Sequence, residues 1–172
     1  MPAWKIERVE SLDPAQKTAL FKWGPDVFSS GQLALKWDSN ADWRFLAYRE
    51  GALVGHVALL LRTIRCGGRD VPVCGLGGLI TLPHARGQGV ARRLMDAFHE
   101  FSVQQTGAES IVLFCLDRLV PFYERRGYQE VLAPVVIQQP SEPVRCPLHT
   151  FHRQLRNAPW PDGAVDVAGL PW

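Results

Sequence analysis

The stretch PHARGQGVARRLM, residues 83–95, decides the fold and most of the functional prediction. Gly87 and Gly89 stand immediately ahead of a run with helical spacing. The N-terminus of a helix offers unpaired N–H groups and the positive end of the helix dipole to an anion. Glycines let the backbone approach that anion closely, because they carry no Cβ. The stretch therefore predicts a phosphate-binding loop that opens a helix.

Two kinds of nucleotide-binding loop are excluded by the residues around these glycines. A P-loop needs Lys followed by Ser or Thr after its last glycine, and no such pair occurs here. A dinucleotide-binding loop needs a third glycine where Arg92 stands, within a repeated β-α-β pattern. The loop is therefore predicted to bind a phosphate in a different setting.

The residues before the loop predict mostly antiparallel strands. A first strand (4–10) is followed by a helix with Asp13 as its N-cap, and then by a loop over 24–41. Three strand-like runs separated by turn residues predict a meander: 43–50, 52–64 and 70–83.

The residues after the loop predict a parallel crossover and a mixed sheet. The expected order is a helix (87–105), a buried strand (109–117), a short helix (118–128), two late strands near 131–138 and 148–155, and an irregular docked tail (157–172). A strand, helix, strand unit places its two strands in parallel. The predicted class is α/β (α+β), with a single mixed, mostly antiparallel sheet flanked by helices in one domain over residues 1–172.

Composition excludes several other classes of protein. Hydrophobic residues make up 47% and charged residues 21%, with a formal charge of +2, which is an ordinary globular balance. The arginines occur as local pairs and form no basic stripe, so no nucleic-acid partner is expected. No apolar run reaches about 18 residues, so we expect a cytoplasmic protein without a membrane partner. The four cysteines lack C-x-x-C spacing, and no metal is expected.

Two motifs resemble those of the GNAT acyltransferase superfamily. RGQGVA (86–91) is similar to its R/Q-x-x-G-x-G/A element, and PFYERRGY (121–128) is similar to its F-Y-x-x-x-G-F/Y stretch. The resemblance covers roughly residues 40–140. It implies the GNAT acyl-CoA N-acyltransferase fold, with acetyl-CoA as the acyl donor in an N-acetyltransferase reaction.

Within that superfamily, the stretch from Leu53 to Gly89 looks most like the aminoglycoside 2'-N-acetyltransferases, which also end in a tryptophan, here Trp172. The sequence departs from their pattern at two acidic positions. Gly77 stands where those enzymes carry a glutamate, and Leu170 stands where they carry an aspartate. A polycationic aminoglycoside would lose two anionic contacts, so the departures predict a changed acceptor site.

The resemblance also assigns residues to the donor. It implies that the backbone of residues 86–91 holds the pyrophosphate, that the pantetheine arm pairs with the strand before them, and that an N–H of this strand forms the oxyanion hole. The cofactor-binding residues implied are Leu79, Ile80, Thr81, Arg86, Gly87, Gln88, Gly89, Val90, Ala91 and Arg118.

Tyr123 is the predicted general acid, because it matches the tyrosine of the family motif and a phenol stays protonated at neutral pH. Two residues are candidate bases. The first is His56, although a histidine in an apolar strand is more often a structural core residue, and the second is Asp117, which could equally cap the next helix. The candidate acceptor-binding residues are Trp37, Asp38, Gly77 and Trp172. The surrounding segment adds Trp23, Asp26, Phe28, Asp42 and Trp43.

Three functions remain open on the sequence. The first is acetylation of a small-molecule amine by a monomer or homodimer. The second is acetylation of a peptide N-terminus or lysine. The third is a non-catalytic CoA-binding sensor, which the missing glutamate at Gly77 would suit.

Overall fold

The computed structural model describes residues 1–22 and 34–172. Its helices are α1 (Pro14–Phe21), α2 (Val90–Gln105) and α3 (Val120–Glu124), with short 3-10 turns at Pro83–Ala85 and Asp117–Leu119. Its strands are β1 (Trp4–Val9), β2 (Trp43–Arg49), β3 (Ala52–Cys66), β4 (Arg69–Thr81), β5 (Ser110–Cys115), β6 (Gln129–Glu130), β7 (Val135–Gln138), β8 (Pro143–Arg145), β9 (His149–Gln154) and β10 (Val165–Asp166).

The ten strands found in the described part of the chain belong to one mixed sheet, and a single mixed sheet was predicted. Along its main path the order is β6-β9-β5-β4-β3-β10-β7-β8, and β2 joins β1 to β3. The meander of β2, β3 and β4 is antiparallel, and β4 pairs with β5 in parallel, which confirms the predicted crossover. The parallel pairs are β4 with β5 and β10 with β7, so the sheet is mostly antiparallel.

The two faces of the sheet are covered by different parts of the chain. Helix α2 packs on one face through Val90, Leu94 and Phe98, which recur at helical spacing as predicted. The opposite face is covered by β7, β10 and the tail, whose Trp172 lies in that cluster. None of the helices in the described ranges is long and apolar enough to cross a membrane.

The structure differs from the predicted elements at four places. Helix α2 begins at Val90 because Gly87 and Gly89 have positive φ angles of 74° and 80°, which a helix does not allow. Of the predicted strand over 131–138, only Val135–Gln138 forms a strand, β7, which begins after Pro134, and the short strand β6 lies before the predicted range. The loop between the late strands contains β8, and the tail, predicted as irregular, contributes β10 to the sheet.

Candidate functional site

A gap between β4 and β5 is the central feature of the candidate site. The two strands pair only from Val73 to Gly75 on β4 and from Ser110 to Val112 on β5. Beyond these residues they no longer pair, so one edge of the segment 76–81 has no strand partner among residues 1–22 and 34–172. Unpaired backbone groups at a strand edge can bind an extended ligand by strand addition. The predicted contacts Leu79, Ile80 and Thr81 all lie on this segment.

A β-bulge in β4 lies beside the gap. His56 is opposite Ile80 and Ala58 is opposite Gly77, so two residues of β4 face the single residue Val57. Gly78 has a φ of +56°, and a Cβ at this position would lie 3.2 Å from the His56 ring. Only glycine adopts this backbone without strain. The bulge therefore depends on Gly78, and it turns the backbone of β4 next to the gap.

The His56 ring is held through both of its nitrogens, one of which contacts the bulge. Nδ1 lies 2.7 Å from the Gly78 carbonyl oxygen, and Nε2 lies 3.1 Å from Nη1 of Arg44. Because a carbonyl only accepts and a guanidinium only donates, the ring is neutral with its proton on Nδ1. Burial lowers the pKa of His56 to about 4. With no free lone pair, this geometry favours a positioning role for His56 over the predicted role of base.

The lowered pKa of His56 predicts a loss of stability in acid. The unfolded chain takes up a proton near the ordinary pKa of 6.5, whereas folded His56 resists protonation until about pH 4. The free energy of unfolding should therefore fall by about 3 kcal/mol as the pH drops through this window. Urea unfolding at pH 7 and pH 4.5 should show a smaller fall in His56→Gln than in the unaltered protein.

Exposed His84 supplies the control for this measurement, since His84→Gln should keep the full acid slope. The other buried or paired histidines contribute equally to both proteins and cancel in the comparison. Identical slopes in His56→Gln and the unaltered protein would contradict the assignment of a neutral, buried His56.

The glycine loop joins the gap to the N-terminus of α2. The first hydrogen bond of the helix runs from the N–H of Arg93 to the carbonyl of Gly89 at 3.1 Å, so the N–H groups of residues 90–92 have no partner within the helix. The Gln88 side chain donates to the His84 carbonyl and accepts from Arg49, so it holds the loop in place. The loop thus presents backbone donors to an anion, and Gln88 can contribute through its own backbone.

Tyr123 lies on α3 and is buried among aromatic rings. The ring centroids of Phe122 and Tyr128 lie 5.0 Å and 5.7 Å from its own. Burial raises the pKa of Tyr123, and the neighbouring Cys115 and Tyr128 raise it further. The phenol is therefore protonated at neutral pH, which is the state that a general acid requires.

Asp117 lies at the rim of the site in an ion pair. Its carboxylate accepts from Nε2 of His149 at 2.7 Å, and Nδ1 of the same ring donates to Glu130. Both partners only accept, so His149 carries both protons. The hydrogen bond to Glu130 and the one to Asp117 hold the pKa of His149 above its ordinary value despite partial burial. Asp117 is thus paired with a cation, and Arg118 beside it is exposed.

The structure brings together two residues predicted to bind the acceptor, Gly77 and Trp172. A Cβ at Gly77 would lie 3.2 Å from the backbone carbon of Trp172. The Trp172 indole N–H donates to the carbonyl of Val112 at 3.1 Å, and its ring packs edge-on against Phe114. Trp172 therefore lies against the point where β4 and β5 stop pairing.

Gly75 accommodates the Trp172 ring, and this contact predicts a stability effect. A Cβ at Gly75 would lie 2.5 Å from two indole atoms, which is too close for the packed ring to stay where it is. We expect Gly75→Ala to lower the free energy of unfolding by about 1–3 kcal/mol, the usual cost of overpacking a core. Chemical denaturation measures it directly. Gly107→Ala is the matched control, because nothing lies within 4 Å of that position.

A second variant identifies the cause of this destabilisation. In a Trp172→Leu background the ring is gone, so Gly75→Ala should cost much less than it does alone. Equal costs in both backgrounds would mean that the indole is not what the methyl group meets.

Two of the remaining predicted acceptor residues, Asp38 and Asp42, bind residues of β3. The carboxylate of Asp38 lies 2.6 Å from Arg62, and Asp42 accepts from the backbone N–H of Leu61. Burial alone would raise the pKa of Asp38, but the bonds from Arg62 and Asn40 hold it below its ordinary value. Trp37, next to Asp38, is exposed. The other predicted residues of this segment, Trp23, Asp26 and Phe28, lie outside the described residues.

Sequence reasoning missed three features of the site. The Arg44–His56 contact joins side chains on adjacent strands, and no local motif announces it. The same holds for the ion pair of His149 with Asp117. The third is the location of Trp43, whose ring packs under the guanidinium of Arg8 and edge-on against Phe101. Exact strand register would have been needed to find any of them.

The comparison with family models decides the family. The family described as Acetyltransferase (GNAT) domain matches residues 32–131, more than half of the chain. The chain belongs to the GNAT acetyltransferase family. It therefore carries the GNAT acyl-CoA N-acyltransferase fold. No curated protein matches the sequence.

Solved structures of GNAT proteins are similar to this one in fold. A putative N-acetyltransferase from Lactobacillus plantarum is 22% identical, with a TM-score of 0.59 over 90% of this chain and 99% of its own. A GNAT family N-acetyltransferase from Escherichia coli, solved in complex with CoA, is 21% identical, with a TM-score of 0.54 over 74% of this chain and 67% of its own.

A third similar structure is the N-acetylglutamate synthase from Neisseria gonorrhoeae, complexed with coenzyme A and N-acetyl-glutamate. It is 15% identical, with a TM-score of 0.63 over 90% of this chain and 36% of its own. Several further matched structures are of longer proteins, of which this GNAT chain spans 22%.

Proposed function

We propose that this GNAT protein transfers the acetyl group of acetyl-CoA to a primary amine of a small molecule, with Tyr123 as the general acid. One observation carries the proposal. The unpaired edge of β4 over residues 76–81 leads through the 3-10 turn at Pro83–Ala85 to the glycine loop, so one continuous segment offers backbone donors at both of its ends. A pyrophosphate attached to an amide-bearing arm is a ligand of matching chemistry.

The acetyl thioester supplies an electrophilic carbon when bound, and the residues of this chain do the rest. The amine nitrogen forms a bond to that carbon, the C–S bond breaks, and the phenol of Tyr123 gives its proton to the departing sulfur. The proton that the nitrogen loses as it becomes an amide returns the Tyr123 phenolate to the phenol. An unpaired N–H of β4 near the Gly78 bulge stabilises the oxyanion. His56 serves this step by holding the Gly78 carbonyl, and hence the bulge, in place.

Gly77 favours an acceptor of low positive charge, because it carries no side-chain carboxylate. Asp38 and Asp117 are already engaged in ion pairs with Arg62 and His149, and each of these cations also binds a second carboxylate, Asp42 or Glu130. A polycationic acceptor such as an aminoglycoside would find no side-chain carboxylate at Gly77, so we place the acceptor among small amines that bind in the neutral form. Trp172 beside Gly77 narrows this side of the site, which suits a small acceptor better than an extended peptide.

Release of the CoA thiol across a panel of amines tests the proposal, with the acetylated product identified by mass spectrometry. The panel contains monoamines, amino acid amides, a lysine peptide and an aminoglycoside. We expect turnover of at least one small monoamine, at a higher kcat/KM than the peptide or the aminoglycoside. Tight CoA binding without turnover of any amine would instead support the sensor function.

A further inference from the structure

A surface cavity of about 430 Å³ lies between α2, the end of α3 and β9. Its volume falls within the range of small-molecule sites. The lining residues are mainly arginines, contributed by segments that are distant in sequence: Arg92, Met95, Asp96, Arg125, Arg126 and Arg153. The fold thus assembles a basic cavity from arginines that form only local pairs in the sequence.

The charge of this arginine cavity is not compensated by the protein. Four guanidinium groups and one carboxylate leave a formal charge of +3 among the lining residues. None of the four arginines forms an ion pair with any residue in the described ranges, whereas Arg62 and Arg69 elsewhere in the chain do. Like charges held close together repel, and a bound anion relieves that repulsion.

The Arg126 guanidinium has a hydrogen-bond donor without a partner in the described part of the chain. Its Nη1 donates to the Phe122 carbonyl at 2.9 Å and its guanidinium lies 3.6 Å from the Phe122 ring centre. Its Nε is buried without a partner, which is costly for a charged group. Burial and the charge of Arg125 lower the pKa of Arg126, and burial and the charge of Arg153 lower the pKa of His99.

We propose that the arginine cavity binds a phosphate monoester, and that this group is the 3'-phosphate of coenzyme A. The assignment rests on the proposed function. Arg92 lies in the first turn of α2, two residues after Val90, whose N–H belongs to the donors assigned to the pyrophosphate. In CoA the 3'-phosphate and the pyrophosphate are carried by the same ribose. Guanidinium forks match the geometry and the charge of such a dianion.

Calorimetric titration with CoA and dephospho-CoA tests the assignment, because the two ligands differ only in the 3'-phosphate. We expect the unaltered protein to bind CoA roughly tenfold or more tightly, as expected for charge-assisted hydrogen bonds to a phosphate. In the double variant Arg125→Gln/Arg153→Gln the two affinities should converge to within about threefold, through weaker binding of CoA alone.

The control double variant Arg65→Gln/Arg145→Gln removes the same charge from exposed positions outside the cavity and should keep the full preference for CoA. Each preference is a ratio within one protein, so partial loss of folded protein does not alter it. Equal affinity for both ligands in the unaltered protein would overturn the inference and leave the proposed function standing. Failure to bind either ligand would overturn the proposed function itself.

Titration with inorganic phosphate distinguishes CoA from another phosphorylated ligand as the occupant of the arginine cavity. If phosphate binds in an arginine-dependent manner while CoA and dephospho-CoA bind equally, the cavity serves a different phosphorylated ligand, and the assignment to CoA is wrong. If phosphate competes with CoA but not with dephospho-CoA, the assignment is supported.

Discussion

Replacing Tyr123 with phenylalanine is expected to lower kcat for amine acetylation by roughly 10²- to 10⁴-fold, the usual contribution of a positioned proton donor. The change removes one hydroxyl group and keeps the ring that packs against Phe122, Tyr128 and Phe151. The fold and the affinity for CoA should therefore change little. Steady-state kinetics with the best amine of the panel, together with a CoA titration, separates the two effects.

Tyr128 provides a matched control for this experiment. It is buried like Tyr123, its pKa is also raised by burial, and its ring lies next to that of Tyr123. Tyr128→Phe should leave kcat within a few-fold of the unaltered enzyme. Equal losses in both variants would point to altered packing, and no loss in Tyr123→Phe would remove the general acid from the proposal.

Introducing a carboxylate into the glycine loop, as Gly89→Glu, is expected to weaken CoA binding by roughly 100-fold or more, because placing like charges together costs several kcal/mol. The side chain also meets a φ of +80°, which strains any residue other than glycine. The strain acts on the same backbone that presents the N–H groups of residues 90–92. Calorimetric titration with CoA measures the combined loss.

Gly68→Glu is the matched control, because it adds the same charge and a similar backbone strain at a position away from the glycine loop. Gly68 lies in the turn between β3 and β4, has a φ of +82°, and has nothing within 4 Å of its would-be Cβ. It therefore matches Gly89 in strain and space but lies at the opposite end of β4. CoA affinity should survive Gly68→Glu. Unchanged affinity in Gly89→Glu would show that the loop does not hold the pyrophosphate.

Patterns that are local in sequence predicted most of this fold. The alternation of residues 43–83 and the helical spacing of Val90, Leu94 and Phe98 correspond to the observed meander and α2. β10 was missed because its two residues, Val165 and Asp166, pair with strands far away in sequence. A two-residue strand has no periodicity to recognise.

The features of the candidate site likewise fall into those that local sequence patterns predict and those that depend on the fold. The glycine loop and the Tyr123 motif are contiguous in sequence, and both can be recognised without a structure. The hydrogen bonds of His56 depend on a one-residue bulge in the register of β3 and β4, which side-chain patterns do not reveal. The arginine cavity depends on three segments meeting in space, so the local arginine pairs gave no indication of it.

The position of β10 has a consequence for how the chain folds. Among the described strands, β7 pairs only with β8 and β10, so the β7–β8 hairpin is connected to the rest of the sheet through Val165 and Asp166. During synthesis from the N-terminus, this hairpin emerges well before the strand that attaches it. Closing a loop of about a hundred residues between β3 and β10 is entropically costly and slow. We therefore expect the hairpin to join the sheet late, after the α2 face has formed.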